Sequence, residues 1–225
     1  MDEPNHTAMR VGVAHQPLRQ AVYTELRQRI LDGRVKQGER LFEDQLATDL
    51  DVSRNPVREA LQALAAEGFV DLEPRRGARV ATISTARAAD LFEVREALEG
   101  LVARLAAQRK TPKQLTDLQR IVFDGKASIS SANLAALPDL NTSFHRALGE
   151  AAHNALLADT LERISHLVQW VYTKRINQRS VRSWDEHQRV VDAIAEADSQ
   201  RAFIEACAHI AHARIAYLDD QLATE

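Results

Sequence analysis

The chain has 225 residues, 45% of them hydrophobic and 27% charged, with a formal net charge of −3 at pH 7; this suffices for one large domain or a small one joined to a larger one. No apolar run approaches the ~20 residues of a membrane span, the start "MDEPNHTAMRVGVAHQ" lacks the basic and apolar regions of a signal peptide, and the lone Cys207 excludes an intrachain disulfide. A cytoplasmic protein with no membrane association is expected, and with no basic excess any grip on nucleic acid has to come from where the arginines sit.

Residues 1–16 are polar and aperiodic and read as a flexible tail. From Leu18, apolar residues at Val22, Leu26, Ile30 and Leu31 keep helical spacing until Gly33 and Gly38 turn the chain. A short helix "EDQLATDL" follows, then a three-residue turn, then a second helix starting at Ser53, whose hydroxyl is placed to cap it while Pro56 occupies the first turn. Val57, Leu61, Leu64 and Ala65 form the buried stripe of that helix and leave Arg54, Asn55 and Arg58 on the opposite side of its N-terminal end. "GFVDL" and "ARVATI" read as strands around the turn "EPRRG". Helix, turn, helix and hairpin in this order make a winged helix over residues 17–83.

Residues 84–87 read as a linker, and residues 88–225 are helical to the end. About six amphipathic helices are expected, starting near Ala88, Pro112, Leu137, Asn154, Trp184 and Gln200, with breaks at "KTP", "SSAN", "AAHN", "NQRS" and "EADS". Short turns between such helices give an antiparallel all-α bundle, so the fold class is mainly α with one small hairpin.

The major groove of duplex DNA admits one α-helix, and the residues that reach base edges lie near its N-terminus. Ser53, Arg54, Asn55 and Arg58 hold those positions, and the wing "PRRGAR" adds Arg75, Arg76 and Arg79, with Gly77 letting the backbone approach a minor groove. In the bundle, His145, His187 and His209 fall on three separate helices at inward positions, and Asn141 lies one turn before His145. Neutral imidazoles with an amide oxygen suit zinc first, and nickel, manganese or iron as well. Hydrogen-bonded core histidines are the alternative that spacing leaves open. A metal-dependent hydrolase is a different class of reading, but there is no HExxH helix, and Glu186 is only adjacent to His187. A metal-independent regulator or an architectural protein with a purely structural bundle is another.

The segment "DQLATDLDVSRNPVREALQALAAEGFVDLEPRRGARV" resembles the DNA-binding domain of the GntR family of bacterial transcription regulators, with LA, SR, PVREAL, EG and a glycine-tipped wing in place. The resemblance implies base reading by Arg54 and Arg58, base or backbone contacts from Ser53 and Asn55, and a minor-groove approach at Gly77. Asn55 stands where many members have threonine, and Asp44 is acidic near a basic phosphate contact of some. "LFEVREALEGLVARLAA", "NTSFHRAL", "HNALL", "EHQRVVDAI" and "DSQRAFIEACAHI" are similar to the helical FCD domain of the FadR subfamily. That likeness implies a divalent metal at Asn141, His145, His187 and His209, with Asn141 where aspartate is usual. Arg95 and Glu99 lie one turn apart, as an intrahelical ion pair on a solvated face would. The likeness implies instead that this arginine faces a cavity beside the metal and binds an effector carboxylate, with Glu99 and Trp184 as further effector candidates and Tyr172 and Arg175 as wall candidates. His212 is expected at the surface or behind the ligands, and His153 and His166 as structural. The function implied is a homodimeric regulator, most often a repressor, that binds an inverted-repeat operator under effector control.

Overall fold

The computed structural model describes residues 16–73, 77–172 and 176–222. The chain divides into two compact units, Met1–Thr82 and Ile83–Glu225.

In the first unit, α1 (Gln16–Leu31) lays Val22, Leu26 and Ile30 against α3. Helices α2 (Glu43–Asp49) and α3 (Arg54–Ala66) are joined by a turn in which Asp51 takes the left-handed region, φ 51°, which aspartate tolerates better than most side chains. The core is Val57, Leu61, Leu64, Phe69 and Val80. Ser53 does start α3, but its side chain makes no capping hydrogen bond. Such a cap needs the N–H of the second or third helical residue, and the third here is Pro56, which has none. Strands β2 (Val70–Glu73) and β3 (Gly77–Val80) pair antiparallel, Val70 opposite Val80 and Glu73 opposite Gly77. A third strand absent from the sequence reading, β1 (Arg40–Leu41), pairs with the other edge of β3. Two residues are too short a run to show alternation. Residues 1–15 of the expected tail and Arg75 and Arg76 of the wing lie outside the described residues.

Among the described residues of the second unit six α-helices follow: α4 (Thr85–Arg109), α5 (Pro112–Ser130), α6 (Leu137–Ala151), α7 (Ala155–Tyr172), α8 (Ile176–Ala195) and α9 (Ser199–Leu222). Residues 84–87 are not an extended linker. Ser84 caps α4 by accepting from the Arg87 N–H, 3.2 Å away, so the helix is under way at Thr85. Thr111 and Gln114 form a capping box with Pro112 as the first residue of α5. The break read at "NQRS" is also corrected, since α8 runs through it and Trp184 sits well inside that helix. Asn, Gln, Arg and Ser only weaken helix propensity, whereas Gly or Pro would have stopped it. The true stops elsewhere carry Ala132, His153 and Ala197 in the left-handed region, each at a cost of roughly 1–2 kcal/mol relative to glycine.

Helix α4 runs antiparallel to α9, as the pairs Glu93–Arg214 and Arg104–Gln200 show, and it also packs against α6, α7 and α8. The close approach requires Gly100, because a Cβ there would strike Cys207 and Phe203. That central position brings Arg95 and Glu99 into the middle of the bundle.

Candidate metal centre and nucleic-acid interface

On the first unit, Ser53, Arg54, Asn55 and Arg58 are all exposed at the start of α3. The two arginines are held by acids of α2. Arg54 Nε lies 2.6 Å from Asp44 Oδ1, and Arg58 donates to Glu43 from Nη2 at 2.8 Å and from Nε at 3.1 Å. Asn55 reaches Glu59 at 3.4 Å. Gly77 opens β3 at φ +89°, a conformation costly for any other residue. Arg79, the third arginine of the expected wing, is instead tied into the sheet through the Gly38 carbonyl and Glu73.

In the second unit, α6, α8 and α9 bring His145, His187 and His209 together, all buried. One ring nitrogen from each lies within 4.8 Å of the others. Two of the rings are oriented by carboxylates that are themselves 1% exposed. Glu99 accepts from His145 Nδ1 at 2.9 Å, and Glu186 from His209 Nδ1 at 2.9 Å. A carboxylate can only accept, so each Nδ1 carries the proton and each Nε2 presents a lone pair to the centre. His187 is stacked on Phe144, with centroids 4.0 Å apart, and meets Trp184 edge-on at 4.9 Å. Its Nε2 stands 3.1 Å from that of His209.

Electrostatics agree with a neutral His145. Burial pushes the His145 pKa down to about 4, against the pull of Glu99, so the ring is uncharged near pH 7. Burial alone would raise the Glu99 carboxyl, yet its contacts with His145 and Arg95 more than reverse this and keep it anionic. With His145 neutral, the Arg95 guanidinium at 2.8 Å and the Nδ1–H bond carry that effect.

The donor set fits a divalent metal. Two nitrogens bound to one ion at ~2.0–2.1 Å lie roughly 3–3.5 Å apart, and the His187–His209 separation falls there. Histidine ligands held from behind by carboxylates are the usual construction. Asn141, one turn before His145 on α6, faces the same side and lines a cavity of about 300 Å³ with His145 and Arg95.

Two expected effector residues are placed differently. Glu99 is engaged by Arg95 and His145, so it orients other groups instead of facing the cavity. Trp184 is buried against Gly125 and His187, away from the cavity lining. Arg175 and the Tyr172 side chain lie outside the described residues. His212, 34% exposed, donates from Nδ1 to Glu186 at 2.9 Å, behind His209.

Glu186 stands out in the sequence only as a neighbour of His187, not as a group that orients His209. It lies one turn before the buried Val190, so helical spacing alone marks it as inward-facing. An inward carboxylate beside His187 asks for a cationic or N–H partner, and His209, His212 and Arg182 supply it.

A winged helix-turn-helix joined to a helical unit with buried histidines agrees with two family models: "Bacterial regulatory proteins, gntR family" matches residues 18–80, and the FCD domain matches residues 90–212. The chain belongs to the GntR family. It is similar to the transcriptional repressor RspR of Escherichia coli strain K12, 33% identical over 156 residues, covering 69% of this chain and 68% of that protein. The gluconate operon transcriptional repressor of Bacillus subtilis strain 168 is 30% identical over 181 residues, covering 77% and 74%. The solved structure of McbR/YncC from E. coli shares the fold, with a TM-score of 0.75 at 20% identity over 91% of this chain and 98% of that one. The family consists of DNA-binding transcription regulators, and FCD domains often bind metal. Among the described residues no helix is long and apolar enough to cross a membrane.

Proposed function

We propose that this GntR-family chain is a repressor acting on chromosomal DNA in the cytoplasm, whose operator affinity is set by a small organic acid bound at a divalent metal in the helical unit. The observation that carries the reading is the convergence of three buried imidazoles, two held by buried carboxylates, beside a cavity reached by Arg95. His145, His187 and His209 would hold the ion, zinc first among the candidates, with Asn141 able to complete the set. A bound ion would supply a Lewis-acidic point for a carboxylate. Glu99 and Glu186 keep the lone pairs of His145 and His209 aimed inward, and Arg95, fixed by Glu99, adds a positive wall.

Arg54 and Arg58 read bases, Ser53 and Asn55 contact bases or backbone, and Arg75, Arg76 and Gly77 form the wing's approach to the minor groove. Residues 17–84 hold equal numbers of acidic and basic side chains, so one copy has little sequence-independent attraction to phosphate. This favours a homodimer on an inverted-repeat operator, where two half-sites are gripped together. The effector shifts operator binding only through different affinity for two arrangements, and a coupling of ~1–3 kcal/mol loosens DNA roughly 5–150-fold.

The test is metal analysis of purified protein together with operator titrations, with and without a panel of small acids. His187→Ala should lose metal and effector response while its operator affinity without effector stays near normal. Full metal content and full response in that variant would make the histidines core residues and sink the proposal.

A further inference from the structure

The cavity beside His145 has an inner end and a mouth of opposite character. Arg95 and His145, 7% and 6% exposed, form the inner end, and Glu99 fixes both of them from behind. At the mouth, α6 contributes Glu150 and α7 contributes Asp159 and Glu162, all exposed, against the single guanidinium of Arg146. Glu162 also lies 4.0 Å from His166. Ser165 lines the same cavity, and its Oγ is buried with no hydrogen-bond partner among the described residues. A buried hydroxyl left in that state is stabilised by any ligand group that can exchange a hydrogen bond with it. The volume, about 300 Å³, stands at the small end of ligand cavities.

Resting on the proposed reading of this site as an acid sensor, we infer that the effector is a small monocarboxylic acid with a hydroxyl or amino group and a neutral or cationic outer end. Its carboxylate goes inward to Arg95 and the metal, its polar group meets Ser165, and its tail lies among the carboxylates of Glu150, Asp159 and Glu162. A second or third carboxylate on the ligand would be brought against those like charges, so the mouth selects against di- and tricarboxylates. The acidic mouth thus decides between acids that the inner end would accept alike.

The experiment is calorimetric titration of the full-length, zinc-loaded protein with lactate, alanine, propionate, malate and citrate. Lactate or alanine should bind at least about tenfold tighter than malate and citrate. A Glu150→Gln/Glu162→Gln double variant, altered only at exposed positions, should narrow that gap by strengthening malate and citrate. Ser165→Ala should weaken lactate while leaving propionate, which has no hydroxyl, unchanged. Malate or citrate binding as tightly as lactate, or a gap that the double variant does not change, overturns the inference while the acid-sensing proposal survives. Equal losses for lactate and propionate in Ser165→Ala overturn the assigned hydroxyl contact. No binding by any of the five acids overturns the inference and the acid-sensing proposal together.

Discussion

In the DNA-binding unit Arg54 and Arg58 meet Asp44 and Glu43 at the surface, with the arginines more than half exposed, whereas in the helical unit Arg95 meets Glu99 with both side chains buried. Distances are alike in the two places, from 2.6 to 2.8 Å, but water makes the pairs different objects. An exposed pair is worth ~0–1 kcal/mol, so DNA can take its arginine at little cost. In the proposed recognition of DNA, a base edge or phosphate would compete with α2 for the arginine. A buried pair cannot be exchanged, because either charge left alone in the core is heavily penalised. Exposed arginines are therefore able to change partner, as the proposed reading of DNA requires, whereas buried ones hold other groups in place.

The largest effect that would test this contrast is on stability. Glu99→Ala should cost roughly 3–5 kcal/mol, since it strands the Arg95 charge and releases His145. Glu43→Ala should stay within ~1 kcal/mol of the parent. Urea unfolding of the two variants measures both, and similar losses would erase the distinction drawn between the pairs.

Acid should reveal the same buried network in metal-stripped protein. The His145 pKa is about 4 in the fold against 6.5 in a free chain. Between those values the unfolded chain binds a proton that the native state does not. Stability from this group is therefore full above pH 6.5 and falls as the pH drops towards 4, by on the order of 3 kcal/mol. Denaturant midpoints recorded across that range check the sign, and a stability that rises on acidification contradicts it.

The smallest effect on folding belongs to α3, the proposed recognition helix. Arg58→Ala should leave the unfolding midpoint nearly unchanged yet cost ~1–3 kcal/mol of operator discrimination per half-site. Arg76→Ala should weaken binding to all sequences and reduce the salt slope by about one. Gel-shift titrations at several salt concentrations separate the two, and unchanged sequence preference in the Arg58 variant would remove α3 as the reader.

Much of the fold was legible because its signals are local. Glycines at 33 and 38 stop α1, the stripe Val57, Leu61 and Leu64 faces inward as spaced, and the inward histidines lie where helical period puts them. The boundaries that misled lacked a strong local signal. Polar residues at 177–180 allow a helix without announcing one, and three left-handed helix ends carry alanine or histidine in place of glycine.

Helical period also fixes which side chains share a face, and so it determined from residue order alone that Asn141 and His145 point together and that Arg95 and Glu99 lie one turn apart. It carries no information on how far α4 sits from α6, or α8 from α9. Only packing decided that, with Gly100 letting α4 close on α9 and Gly125 making room for Trp184. Contacts of α4 with α6 and of α8 with α9 set Glu99 against His145 and Glu186 against His209, 46 and 23 residues away in sequence. Packing also left Trp184 in the core and put Ser165 and an acidic mouth beside the histidines. Partner choice across helices depends on three-dimensional separation and burial, which is why the ligand candidates could be read in order along the chain but the groups that orient them could not.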